Sequence, residues 1–202
     1  MKIGFLGAGN VAQTIAKHVL PFGHRVVLSN AHGAESLAPL AQKLGAGASA
    51  GAPEDAAAQD IVVLAVPWFA VQTALAVVPD WKGKVLVDTT NRVASLRPFR
   101  LGDLSGRTSS EIVADLAPGA RVVKAFNSVP MAWIEDTSPS KPRTVLFLSG
   151  DHQEAKMPIM ALIEEIGLTA VDLGPLAVGG RLQQLGGPLA GVRLTFHERF
   201  GV

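Results

Sequence analysis

Apolar and polar positions along the chain alternate between two periods. Ile3-Gly4-Phe5-Leu6 is a short apolar run that ends at Gly7. Val11, Ile15 and Val19 then recur at helical spacing, beside Ala12, Ala16 and Leu20, until Pro21-Phe22-Gly23. Arg25 to Leu28 has strand character, Glu35 to Leu44 helical character closed by Gly45, and 45 to 53 holds a weak third strand. A short helix over 54–59 precedes Asp60 to Val66, the strongest strand pattern, whose unbroken apolar run fits a strand covered on both faces. Val71, Leu75 and Val78 form the next helical stripe, and 84–88 the next strand. Residues 91–107 have neither period and are expected to form a long functional loop. Thr108 and Glu111 have capping-box spacing and open a helix to Leu116. Strands follow over 121–126 and 144–149. A helix then carries Ile159, Ile163 and Ile166 on one face and is expected to kink at Pro158. The last expected strand is Leu168–Leu173.

Repeated strand–helix alternation predicts an α/β fold: a doubly wound, mostly parallel sheet with helices on both faces. One Rossmann-like domain is expected over residues 1–173. Residues 174–202, rich in Gly, Pro and Leu, are expected to form a short carboxy-terminal extension lying on that domain or on a partner subunit.

The chemistry begins at Gly7-Ala8-Gly9-Asn10-Val11-Ala12. This is the dinucleotide fingerprint with alanine in the third glycine position, set between a strand and a helix. Gly7 permits the tight turn, Gly9 lets backbone approach a pyrophosphate, and Ala12 lets helix and strand pack closely. The helix N-terminus offers unpaired N–H groups to the anion. After the second strand comes Leu28-Ser29-Asn30-Ala31-His32-Gly33, with no carboxylate before Glu35. An acid there binds the ribose hydroxyls of NAD and repels a 2′-phosphate. Ser29 and Asn30 can donate hydrogen bonds to that phosphate, and His32 adds charge when protonated, so NADP(H) is the expected cofactor. The plainer alternative is a polar turn with a solvated histidine.

Composition narrows the chemistry further. Nearly half of the 202 residues are apolar, the net charge is +1 and no basic run occurs, which argues against nucleic acid as a partner. Cysteine is absent, so disulfides, thiolate catalysis and Cys-ligated metals are excluded. The five histidines show no metal-ligand spacing, and no metal is expected. Tyrosine is absent too, which excludes the Tyr/Lys pair of short-chain dehydrogenases. Short, interrupted apolar runs and the lack of a signal segment predict a cytoplasmic protein with no membrane partner.

Several strand-end residues have two readings each. Trp68 is a ring wall or a helix-packing residue. Lys124 is a proton donor or a structural lysine. Asn127 is a pocket amide or a turn former. Arg181 holds an anionic acceptor tail or is solvated. No catalytic residue is assigned.

Taken together, several segments resemble the NADPH-dependent coenzyme F-420 reductases and their bacterial relatives. They are Ile3 to Val11, Ser29-Asn30 with Gly33 and Glu35-Ser36-Leu37, Val63 to Trp68, Ser109 to Ala114, Val122 to Asn127, Gly150-Asp151, Leu173 to Leu176, and Arg181-Leu182. STEAP-type ferric-reductase domains share part of the pattern. The resemblance implies a Rossmann-like homodimer moving hydride between NADP(H) and a 5-deazaflavin or flavin. It implies that Ala8 to Val11, after Gly7, hold the pyrophosphate and that Ser29, Asn30 and the Ala31-His32 pair face the 2′-phosphate. It further implies that Trp68 and Asn91 lie by the nicotinamide, that Ala65, Val66 and Pro67 also bind the cofactor, and that Asn127 and Arg181 border the ring and tail of the small-molecule acceptor. The chain departs from these relatives at His32 (or Ala31, depending on a one-residue gap), where Arg is usual, and at Asn127, where characterised deazaflavin reductases have His. Two other functions fit the same loop: a non-catalytic NADP(H) sensor or partner module, and a reductase of small carbonyl or imine substrates. The latter enzymes commonly carry a large helical second domain, for which this chain is short.

Overall fold

A computed structural model describes residues 1–135, 137 and 141–197. Its centre is a sheet in the order β10-β9-β8-β5-β4-β1-β2-β3. The strands are β1 (Lys2–Leu6), β2 (Arg25–Ser29), β3 (Ala48–Ala50), β4 (Ile61–Leu64), β5 (Val85–Asp88), β8 (Arg121–Ala125), β9 (Arg143–Gly150) and β10 (Thr169–Asp172). All neighbours along this path are parallel except β8 and β9. The mostly parallel, Rossmann-like architecture is therefore as expected. Among the described residues, the β8–β9 connection holds only a 3-10 turn, Met131–Trp133, and no α-helix. A parallel return needs a crossover element, so β9 enters the sheet reversed.

The period-two pattern sorts each strand onto two cores. Ile3 and Phe5 of β1, with Ile61 and Val63 of β4, share one core with Ile15 and Val19 of α1 (Asn10–Val19) and Ile159 and Ile163 of α6 (Gln153–Glu165). Leu6, Val62 and Leu64 face the opposite core with α3 (Pro53–Ala57), α4 (Val71–Ala76) and α5 (Ser109–Leu116). Gly4 is the contact point of α3 on β1: a Cβ there would lie 1.8 Å from the Ala56 carbonyl oxygen.

Several local expectations change. The helix expected over 35–44 is a 3-10 turn, Ala34–Leu37, followed by α2 (Ala38–Leu44), with Pro39 in its first turn where the missing N–H costs nothing. α6 runs unbroken through Pro158. The 91–107 segment is not one irregular loop. It contains a separate antiparallel hairpin, β6 (Val93–Leu96) and β7 (Phe99–Leu101), whose alternation is too short and too exposed to stand out in the sequence. Thr108 caps α5 as its spacing predicts: its Oγ1 accepts from Glu111 N–H, and Glu111 accepts from Thr108 N–H. Leu168–Leu173 is not the last strand, because β11 (Thr195–Phe196) pairs antiparallel with the start of β9. Between β10 and β11 lie a π-turn, Leu176–Gly180, and α7 (Arg181–Gln183).

Candidate functional site

The chain runs from β1 outward through β2 to β3, then returns to the other side of β1 as β4. The helices on either side of that reversal diverge, and a crevice opens at the carboxyl ends of β1 and β4. Gly7 closes β1 there. Its φ of +105° is left-handed, and a Cβ would sit 2.2 Å from the Ala65 carbonyl oxygen, so only glycine fits. Gly9 is the opposite case: a Cβ there would meet nothing within 4 Å. Its backbone faces open space at the start of α1, where it is the N-cap residue and makes no side-chain cap bond. No acidic residue lies in the first turn of α1. Gln13 Nε2 donates to the Ala8 carbonyl at 2.9 Å and holds the loop. A cradle with free N–H groups, a dipole end and room where Gly9 lacks a side chain fits the pyrophosphate of a dinucleotide.

Two clefts meet at this loop. The larger, about 540 Å³, is lined by Gly9, Asn10, Val11, Ala65 to Phe69, Thr89 to Asn91 and Val93 to Leu96. The smaller, about 170 Å³, is lined by Leu6, Gly7, Ser29 to Ala31, Pro53, Val66 and residues 70, 73, 74 and 77. Val66 borders both. The sequence-predicted residues Gly9, Asn10, Val11, Ala65, Val66, Pro67, Trp68 and Asn91 are thus brought together in one cleft, and Gly7, Ser29 and Asn30 in its neighbour.

The side chains at the end of β2 behave differently from expectation. Ser29 is buried, and its hydroxyl donates inward to the Phe5 carbonyl at 2.8 Å. Its proton is therefore engaged within the sheet. Asn30 organises the following turn: its Oδ1 accepts from His32 N–H at 2.8 Å and its Nδ2 donates to Ser36 Oγ at 3.1 Å. His32 is exposed on that turn. Neither of the two predicted acceptor residues lines either of these clefts. Asn127 is 9 % exposed and sits behind Asn91, with its amide turned to Asn91 Oδ1 and the Gln183 carbonyl. Arg181 is exposed and donates to the Gly106 carbonyl at 2.7 Å.

Lys124 is fully buried, as is Asp88 beside it in β5, and their Nζ–Oδ2 separation is 3.0 Å. Lys124 also donates to the Thr90 carbonyl, while Ser110 and Thr90 hydroxyls donate to Asp88. Burial pushes the Asp88 carboxyl up, but the Lys124 ammonium and these hydrogen bonds outweigh it and hold the group below the ordinary carboxylate range. The structural reading of Lys124 is the one this geometry supports: the pair ties β5 to β8 and fixes the Thr89–Asn91 wall of the larger cleft.

Sequence reasoning missed Phe69, Thr89 and Thr90 as lining residues, whereas Val93–Leu96 fall inside the 91–107 segment it expected to be functional. Thr89 and Thr90 directly follow a parallel strand, and the strand-end rule alone could have found them. For the hairpin residues the sequence signalled a functional segment but not the strand pairing that shapes it.

The amino-terminal segment, residues 2–92, matches the family described as NADP oxidoreductase coenzyme F420-dependent. The chain is similar to the crystal structure of a hypothetical protein, SMa0349, from Sinorhizobium meliloti, at 37 % identity and a TM-score of 0.90, over 98 % of this chain and 97 % of that one. It is 30 % identical over 180 residues to the metalloreductase STEAP3 of Rattus norvegicus, covering 87 % of this chain and 34 % of that protein, so it spans about a third of that relative's length. It is 26 % identical over 152 residues to the F420-dependent NADP reductase of Methanocaldococcus jannaschii, covering 72 % of this chain and 68 % of that protein. With the glycine cradle, the strand reversal and the paired clefts already in place, these matches identify residues 2–92 as a segment similar to the coenzyme F420-dependent NADP oxidoreductases.

Proposed function

We propose that this protein binds NADP(H) across the two clefts and transfers hydride between NADPH and a flavin or deazaflavin acceptor. One observation carries the reading: no residue lining the larger cleft, among those described, has an ionisable side chain. Reducing a carbonyl or imine asks the site for a placed proton donor. Transfer between two flat rings asks mainly for alignment and exclusion of water. Trp68, Phe69, Val93 and Leu96 give the cleft apolar walls for such rings. When bound, NADPH would supply the hydride and leave as NADP⁺, and the reduced acceptor would take its balancing proton from solvent once it leaves the cleft.

The chain's own residues do the rest. Gly7, Ala8, Gly9, Asn10 and Val11 hold the pyrophosphate at the start of α1. The Asn30–Ser36 turn, with the exposed His32 ring and no carboxylate before Glu35, takes the 2′-phosphate. Ser29 supports that turn from within the sheet. Ala65 to Trp68 and Asn91 enclose the nicotinamide. Residues 174–197 brace the 1–173 domain. Among the described residues, no helix is long and apolar enough to cross a membrane. A cytoplasmic homodimer is the form in which we expect the protein to act.

The test is to mix purified protein with NADPH and, separately, coenzyme F-420, FMN and FAD, and to follow NADPH absorbance. Oxidation is expected with at least one acceptor, and more slowly when NADH replaces NADPH. Absence of turnover with all three would sink the reading.

A further inference from the structure

Hydrogen bonds lead from the carboxy-terminal segment to the wall of the larger cleft. Gln183, in α7, is fully buried, and its Nε2 donates to the Lys124 carbonyl at 2.9 Å. The Gln183 main-chain carbonyl in turn accepts from Asn127 Nδ2 at 3.0 Å. Asn127 reaches Asn91 twice: its main-chain carbonyl accepts from Asn91 Nδ2 at 3.0 Å, and its Nδ2 approaches Asn91 Oδ1 at 3.3 Å. Asn91 lines the larger cleft, whereas Gln183 and Asn127 do not.

Two further features mark this corner as held in place. Phe126, between Lys124 and Asn127, has φ of +60°, a left-handed conformation that a bulky aromatic rarely adopts. It turns the chain sharply after β8 and swings Asn127 toward Asn91. In addition, Gln183 Oε1 and Asn127 Oδ1 are buried and have no donor among the described residues. An apolar side chain would fill the Gln183 site without that cost. What the amide adds is a directional grip on the carbonyl end of β8.

We infer that Gln183 is a positioning residue for the nicotinamide end of the cleft: it grips the end of β8 so that Asn127 orients the Asn91 amide. This rests on the cofactor reading proposed above. A residue that only staples the carboxy-terminal segment to the sheet would lack the specific link to Asn91. Its loss would then affect both halves of the cofactor alike or neither.

The experiment compares two ligands by titration calorimetry. NADPH reaches both clefts, and 2′,5′-ADP carries only the adenosine half. In Gln183→Met, the affinity for NADPH is expected to fall about tenfold, the scale of one directional hydrogen bond, while that for 2′,5′-ADP holds. Asn91→Ala should produce a similar selective loss. Combining the two substitutions should cost no more than Asn91→Ala alone, because both act through one amide. If Gln183→Met does not yield folded protein, Gln183→Asn, which withdraws the amide by one methylene, is subject to the same expectations. Equal losses for both ligands, no loss, or additive effects would overturn the inference while leaving the cofactor reading intact. Wild-type protein that binds neither ligand would overturn the cofactor reading and this inference with it.

Discussion

Gly7 and Gly9 stand two positions apart in one motif but do different physical work. At Gly7 both the positive φ and the Ala65 carbonyl exclude a side chain. Gly7→Ala is expected to destabilise the protein itself by roughly 3 kcal/mol, from backbone strain and overpacking together. Thermal melting of the cofactor-free protein should show it. At Gly9 the backbone φ of −75° suits any residue and the space beyond is open. Gly9→Ala should shift cofactor-free stability by no more than about 1 kcal/mol, the range of an N-cap change. Its NADPH affinity should fall by about tenfold or more, because the methyl occupies the pyrophosphate's approach. Equal melting temperatures for the two variants, or unchanged NADPH affinity in Gly9→Ala, would contradict this division. The fingerprint places both glycines by sequence alone, but only the neighbours in space tell them apart. Ser29 shows the same limit. Its type suits a phosphate donor, yet the Phe5 carbonyl, 24 positions away in sequence, accepts its hydrogen bond.

Among the elements, the buried Asp88–Lys124 pair joins β5 to β8 and, through Thr90, shapes the cleft. Because the folded pKa of Asp88 lies below its ordinary value of 3.8, the carboxylate contributes stability that is fully present above that value. The contribution is lost as pH falls through the lower folded value. Lys124→Met reverses the sign. It leaves an uncompensated buried carboxylate, raises the Asp88 pKa above its unfolded value and costs about 3–5 kcal/mol near neutrality. That deficit should shrink as pH drops and Asp88 becomes neutral. Denaturant titrations of both proteins between neutral and mildly acid pH measure the gap, and a gap that stays constant or widens on acidification would refute the account. Lys124 looks in sequence like any lysine in an apolar strand. Its role depends on β5 and β8 being neighbours, 36 residues apart.

At the scale of the molecule, central strands with helices on both faces contrast with a hairpin lying outside the main sheet. β4 is buried along its whole length, while Leu96 is 78 % and Phe99 59 % exposed. A two-stranded hairpin has little stability of its own. Amides of β6 and β7 are therefore expected to exchange with deuterium at least about two orders of magnitude faster than those of β4 and β5. Because residues 93–96 line the larger cleft, NADPH should slow exchange in β6 more than in β7. Hairpin amides as protected as those of β4, or no response to cofactor in β6, would contradict a marginally stable hairpin beside the cleft.

Strand–helix alternation, the two-sided burial of β4, the Thr108 cap and the phosphate loop are local in origin, and the sequence by itself determined them. Each depends on a period, a cap or a backbone requirement within a few residues. Only the tertiary structure decided the reversal of β9, the existence of the hairpin and the pairing of β11. It alone settled which polar groups around the loop remain free for a ligand. These outcomes rest on contacts between distant segments: Ser29 with Phe5, Lys124 with Asp88, Asn127 with Asn91 and Gln183. A hydrogen-bonding side chain has the same capacity wherever it stands in the sequence. Which partner takes up that capacity is set by the fold, and at this site the partner distinguishes a residue that faces the cleft from one that holds the wall behind it.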